Sequence, residues 1–270
     1  MSRFLAIAAL AILVCFLAVP LAAKTAGRAG KSRSKAAART VAVESRIPPV
    51  RRSSGSEGGN PESRSIAVDR VAAIKSGVSG DVLNLALDAV SCGIASGDLQ
   101  TPPTLTLIDY SLPSTTPRLW IFDLRTGKLL FNELVAHGRN TGDNMATRFS
   151  DAMESRETSL GLFRTADTYV GHNGYSLRLD GLEPGFNSNA RERAIVMHGA
   201  PYVDANIAKA NGRLGRSWGC PALREAVARQ VIDTVRGGGV IFSYYPDPTW
   251  LKASKFINCG SQAPATVATN

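Results

Sequence analysis

The chain has 270 residues, 44% of them hydrophobic, which suits a soluble globular protein of one substantial domain with tails or two small domains. The formal net charge is +9, from 31 Lys and Arg against 22 Asp and Glu. Residues 24–52 hold nine basic residues against Glu44 alone, whereas residues 53–270 hold 21 of each sign. The rest of the chain is therefore neutral, which argues against nucleic acid as a partner.

In chain order, Met1-Ser2-Arg3 supplies a positive start, Phe4 to Val19 an apolar run, and Pro20-Leu21-Ala22-Ala23 a small-residue exit. This reads as a signal peptide over 1–23, which implies export to the periplasm or cell envelope. An uncleaved anchor is the alternative, because Leu21 is an imperfect residue three before the cut; the run is short for a full span. Cys15 lies within it without a lipoprotein-type context. Residues 24–62 are basic and rich in Ala, Ser and Gly, with little to build a core from, and read as a disordered linker. Its charge suits an anionic envelope surface; a solubilising spacer is the other reading.

Residues 63–100 read as an N-terminal helical segment, two short helices separated by Gly77-Val78-Ser79-Gly80. From Leu105 the period changes to that of strands, and residues 101–250 read as the main, strand-rich domain, with a tail over 251–270. Leu105–Tyr110, Arg118–Leu124, Leu129–Val135, Leu160–Ala166, Tyr175–Leu179, Ala194–Met197 and Val240–Tyr244 are predicted strands. The second and third form a hairpin around Arg125-Thr126-Gly127-Lys128. Short strands with glycine turns predict a mainly β fold, a β-sandwich or open barrel. Leu223, Val227, Val231 and Val235 recur every four residues and predict a helix that begins right after Cys220-Pro221 and ends at Gly237-Gly238-Gly239.

That helix would place Cys220 at its N-terminus, where the dipole and unpaired N–H groups favour a thiolate. His198-Gly199 closes the predicted strand before it and is positioned to act as base, the Cys–His arrangement of covalent catalysis. A packing role for both is the plainer alternative.

The run His198-Gly199 … Gly212-Arg213-Leu214-Gly215-Arg216-Ser217-Trp218-Gly219-Cys220-Pro221-Ala222 resembles the murein L,D-transpeptidase catalytic-domain family, the YkuD-type cysteine transpeptidases. The resemblance extends to Ala136-His137-Gly138-Arg139-Asn140, Ser159-Leu160-Gly161, Tyr175–Leu182 and Asn189-Ala190-Arg191, covering about Leu105 to Asp247. The chain departs from the commoner pattern at Trp218, where a histidine is usual, and at Pro221-Ala222, where an arginine follows; Arg224 is the nearest later one. The resemblance implies the L,D-transpeptidase-like β core with the nucleophile's helix packed on it. It implies attack by Cys220 on a peptidoglycan stem peptide, with His198 as acid and base and the Gly199 carbonyl orienting the imidazole.

The N–H groups of Trp218, Gly219 and Cys220 are candidates for the oxyanion, one such donor being worth roughly 3 kcal/mol, and Ser217 for fixing the loop. Arg216, Arg178, Tyr175, His137 and Arg139 are candidates for gripping the substrate. No cofactor is expected, and ligand spacing for a metal is absent. With Cys220 reserved, Cys92 and Cys259 form an even pair in an oxidising compartment and are expected to be a disulfide. An L,D-carboxypeptidase using the same acyl-enzyme and an inactive wall-binding module remain open alternatives.

Overall fold

The computed structural model describes residues 68–259. The signal peptide (1–23, with Cys15), the basic linker (24–62) and residues 260–270 of the expected tail lie outside the described residues. The description below concerns the described residues of the unit Asn60–Asn270.

Two helices open it. Asp69 caps the first, α1 (Arg70–Lys75), by accepting from the Ala72 N–H at 3.0 Å. Gly77, at φ +94°, turns the chain into α2 (Gly80–Ala95), whose Leu83, Ala86, Leu87 and Val90 are buried. The strands follow: β1 (Thr104–Asp109), β2 (Leu119–Asp123), β3 (Leu129–Glu133), β4 (Val135–Ala136), β5 (Gly161–Gly171), β6 (Gly174–Gly181) and β7 (Val196–Gly199). Then come α3 (Ala205–Asn211), β8 (Ala222–Leu223), α4 (Glu225–Val235), β9 (Val240–Tyr244) and α5 (Pro248–Ala253).

The strands make a single sheet of nine, ordered β3-β2-β1-β9-β5-β6-β7-β8-β4. Its two edge strands, β3 and β4, are separated in the chain only by Leu134, so the sheet must curl until its edges nearly meet. The fold is thus mainly β, as expected, and a nearly closed barrel rather than two stacked sheets. The β2–β3 hairpin turns where predicted: the Asp123 carboxylate accepts from the N–H groups of Arg125 and Thr126.

Alternation along the strands divides the core. Leu105, Leu107, Trp120, Phe122 and Phe242 join α2, Trp250 and Phe256 in one cluster. Ile108, Leu119, Ile121 and Ile241 join Val231, Ile232 and Val235 of α4 in the other. Each such side chain contributes roughly 2 kcal/mol on burial. Among the described residues, α2, the strands, Trp250 and Phe256 thus pack into a shared core cluster. Cys92 and Cys259 are joined by a disulfide that ties α2 to the chain end. No helix among the described residues is long and apolar enough to cross a membrane.

Three expectations need correction. Val135 does not continue the hairpin but starts β4, which pairs with β8. The helix after the cysteine begins at Glu225, because Ala222 and Leu223 are drawn into the sheet beside β7 and β4. His198 lies inside β7, not after it, since the turn through Ala194 (φ +53°) delays the strand to Val196.

Candidate active site

Parallel pairing of β7 with β8 sets His198 opposite Ala222, two residues beyond Cys220. The two side chains line one cavity of about 440 Å³ with His172, Asn173, Arg193, Ala194, Tyr202, Arg216, Ser217 and Trp218. Cys220 is the free cysteine among the described residues. Its sulfur receives the Val196 N–H at 3.4 Å and donates to the Ala194 carbonyl at 3.7 Å.

Cys220 is buried rather than seated at a helix N-terminus, and burial pushes its thiol above the ordinary range; the Val196 N–H and the nearby Arg193 guanidinium oppose this. The helix-dipole argument for a resting thiolate is therefore corrected. The resting group is a thiol that a base must deprotonate.

His198, the candidate base, is held in one tautomer. His198 Nδ1 meets the Gly199 carbonyl at 2.9 Å, so Nδ1 carries the hydrogen and Nε2 keeps its lone pair. Burial lowers the pKa of His198, which keeps the imidazole neutral and able to accept a proton.

The loop that carries Cys220 is pinned from within. Ser217 Oγ donates to the Cys220 carbonyl at 2.6 Å and accepts from the Gly219 N–H at 3.1 Å. The Gly219 N–H is thereby committed, which removes it from the expected oxyanion set. Among the described residues, the Trp218 N–H has no acceptor and that of Cys220 faces only its own sulfur. Gly219 has φ +125°, and a Cβ there would stand 2.8 Å from the Glu157 carbonyl, so only glycine fits.

A family model for the L,D-transpeptidase catalytic domain matches residues 74–244, more than half of the chain. The chain belongs to that family. A search of curated proteins finds no match. Among solved structures, an L,D-transpeptidase from Mycobacterium smegmatis is 14% identical with a TM-score of 0.35, covering 53% of this chain and 59% of its own. One from Stackebrandtia nassauensis is 15% identical with a TM-score of 0.32, covering 65% and 75%. L,D-transpeptidase 1 of Mycobacterium tuberculosis is 16% identical with a TM-score of 0.29, covering 53% and 62%. The chain thus spans about three fifths of the length of the first of these.

Within this L,D-transpeptidase domain, only part of the expected substrate set reaches the cavity. Arg216 lines it, with Nη1 bonded to the carbonyls of Arg139 and Gly142 and to Asp143. Trp218 also lines it, 69% exposed, with the Arg156 guanidinium 4.9 Å above its ring. Arg139 is exposed at the loop edge, its N–H bonded to the Ser217 carbonyl.

The others are elsewhere. Tyr175 packs against the core beside α4 and donates to its Asp233 at 2.6 Å, and Arg178 pairs with Asp167 above the Tyr169 ring on the other face of β6. Arg224 is held bidentately by Glu133. His137 is buried: its Nδ1 accepts from Arg118 at 2.7 Å and its Nε2 faces the Gly142 carbonyl, so it supports the loop from below. Tyr175 and Arg178 lie on opposite faces of β6, while His137 and Arg224 lie outside the strands and are held by Arg118 and Glu133.

Sequence reasoning missed Arg193 and Tyr202, which come to the cavity from a turn and a loop without periodic signal, and left His172 unassigned although it lines the same cavity at the β5–β6 turn. No group of three His, Cys, Asp or Glu side chains among the described residues is arranged to hold a metal.

Proposed function

We propose that this protein is an exported cysteine L,D-transpeptidase acting on peptidoglycan stem peptides in the periplasm or cell envelope. The observation that carries the reading is one cavity containing a buried thiol and a neutral imidazole whose Nδ1 is locked to a backbone carbonyl. Family membership supplies the substrate class.

In the donor half-reaction Cys220 Sγ leaves its contact with Ala194 O and gives its proton to His198 Nε2. The sulfur attacks the carbonyl between the diamino acid and the terminal D-alanine. The tetrahedral oxyanion lies near the Trp218 and Cys220 N–H groups. Collapse breaks the C–N bond, His198 returns the proton to the departing amine, and a thioester remains on Cys220. An acceptor amine then attacks the thioester, forms the new amide and restores the thiol. Export rests on the apolar leader at 1–23, and contact of the 24–62 linker with an anionic envelope surface rests on its charge.

Purified protein incubated with tetrapeptide muropeptides, with products read by mass, tests the reading. Crosslinked dimers support it. Tripeptides without dimers replace it with an L,D-carboxypeptidase, and no change replaces it with a wall-binding module.

A further inference from the structure

Arg193 is buried in the wall of the Cys220 cavity, its side chain only 3% exposed. Four of its five N–H groups are used. Nη1 donates to the Ser150 carbonyl at 2.7 Å and Ser159 Oγ at 2.6 Å. Nη2 donates to Ser155 Oγ at 2.9 Å and the Glu157 carbonyl at 2.7 Å. A guanidinium so occupied is not free to grip a substrate carboxylate with its fork.

All four acceptors are neutral. The nearest carboxylate, Asp151, lies at 3.7 Å, and its oxygens already accept from the Asn189 N–H and Ser188 Oγ. Glu157, the other nearby acid, pairs with Arg148 at 3.6 Å. Asp151 is thus the main balancing charge, in a long buried pair, and Arg193 is the cation acting on the Cys220 sulfur. Tyr110 and Tyr202 also sense Cys220 and stay protonated, and His198, His172 and Arg216 line the same cavity.

The surrounding backbone is strained. The non-glycine residues with positive φ among those described are Glu154 (56°), Arg156 (56°) and Ala194 (53°). Ala194 follows Arg193 directly and carries the carbonyl that receives the thiol. The first two flank Ser155, which Arg193 holds. Such conformations persist where neighbours over-determine them. A Cβ on Gly219 would stand 3.4 Å from Arg193 Nη2, so the guanidinium also borders the nucleophile turn.

We propose that Arg193 is a positioning residue for the nucleophile: a fixed cation, clamped to the 150–159 loop, that holds the turns on both sides of Cys220 and stabilises its sulfur as the proton leaves. This rests on the reading of Cys220 as nucleophile, but its test needs no substrate.

The rate of Cys220 alkylation by iodoacetamide is followed against pH in the parent protein, with Cys220→Ala as the unlabelled control. Arg193→Met is expected to move the midpoint upward and slow alkylation at neutral pH by about tenfold, one pKa unit. Arg193→Lys, which keeps the charge and loses the fork, is expected to keep the midpoint near the parent's. Asp151→Asn, which removes the partly balancing carboxylate, is expected to move it downward. A folded Arg193→Met protein with the parent's midpoint, even if slower at every pH, overturns the proposal. Should Arg193→Met fail to fold, a midpoint in Asp151→Asn that is unchanged or raised overturns it. A shifted midpoint in a protein that does not turn over muropeptides leaves this inference standing and removes the functional reading.

Discussion

At the scale of single residues the proposed chemistry starts from a proton transfer between Cys220 and His198. Burial raises the thiol of Cys220 and lowers His198, so the pair rests as thiol and imidazole rather than as an ion pair. Cys220→Ala is expected to abolish thioester formation, read by mass on incubation with tetrapeptide muropeptides. His198→Gln is expected to slow it by on the order of 10²-fold or more, because an amide cannot take the thiol proton. Near-native acylation in the glutamine variant would move the base to another group, of which His172 is the other imidazole in the cavity.

At the scale of elements, short turns and one crosslink hold the site. The turn before β8 sets Ser217, Gly219 and Cys220 against the 150–159 loop, and the fit leaves no room for a Cβ at Gly219. Gly219→Ala is expected to cut turnover sharply while the domain stays folded; circular dichroism and the muropeptide assay together check this. The disulfide between α2 and Cys259 closes a loop of 167 residues, worth about 5 kcal/mol in the chain-entropy model. Cys92 packs in the cluster that holds Trp250, whereas Cys220 belongs to the other cluster. Cys92→Ala is therefore expected to lower the melting temperature and to leave the alkylation rate of Cys220 unchanged; a change in that rate would mean the clusters are coupled.

At the scale of the whole molecule, buried histidines make stability depend on pH. His137 is lowered to about 4 from 6.5, chiefly by burial and then by the Arg118 charge. Its folded pKa lies below the unfolded one, so the unfolded chain binds the extra proton. The stabilisation is complete above 6.5 and is lost as pH falls toward 4. A shift of this size corresponds to about 3 kcal/mol at most. Melting temperatures measured across that window are expected to fall with pH in the parent and less steeply in His137→Gln; parallel curves would exclude the histidine as the cause.

The mainly β class, the β2–β3 hairpin and the pairing of Cys92 with Cys259 were legible in the linear chain, as were Cys220 and His198 as candidates for one site, which the structure places in one cavity. They rest on local signals: hydrophobic period, turn residues, motif spacing and cysteine parity. Three-dimensional pairing settled the rest. Ala222-Leu223 became a strand because β7 and β4 offered two neighbours for it, which displaced the helix start from Cys220 to Glu225. Tertiary packing carried Tyr175 to α4, put Arg178 on the opposite face of β6 beside Asp167 and Tyr169, and buried His137 against Arg118, while the Arg193 turn reached the Cys220 cavity from a different part of the chain. The direction of a side chain in a closed sheet depends on partners distant in sequence, and no local pattern encodes them.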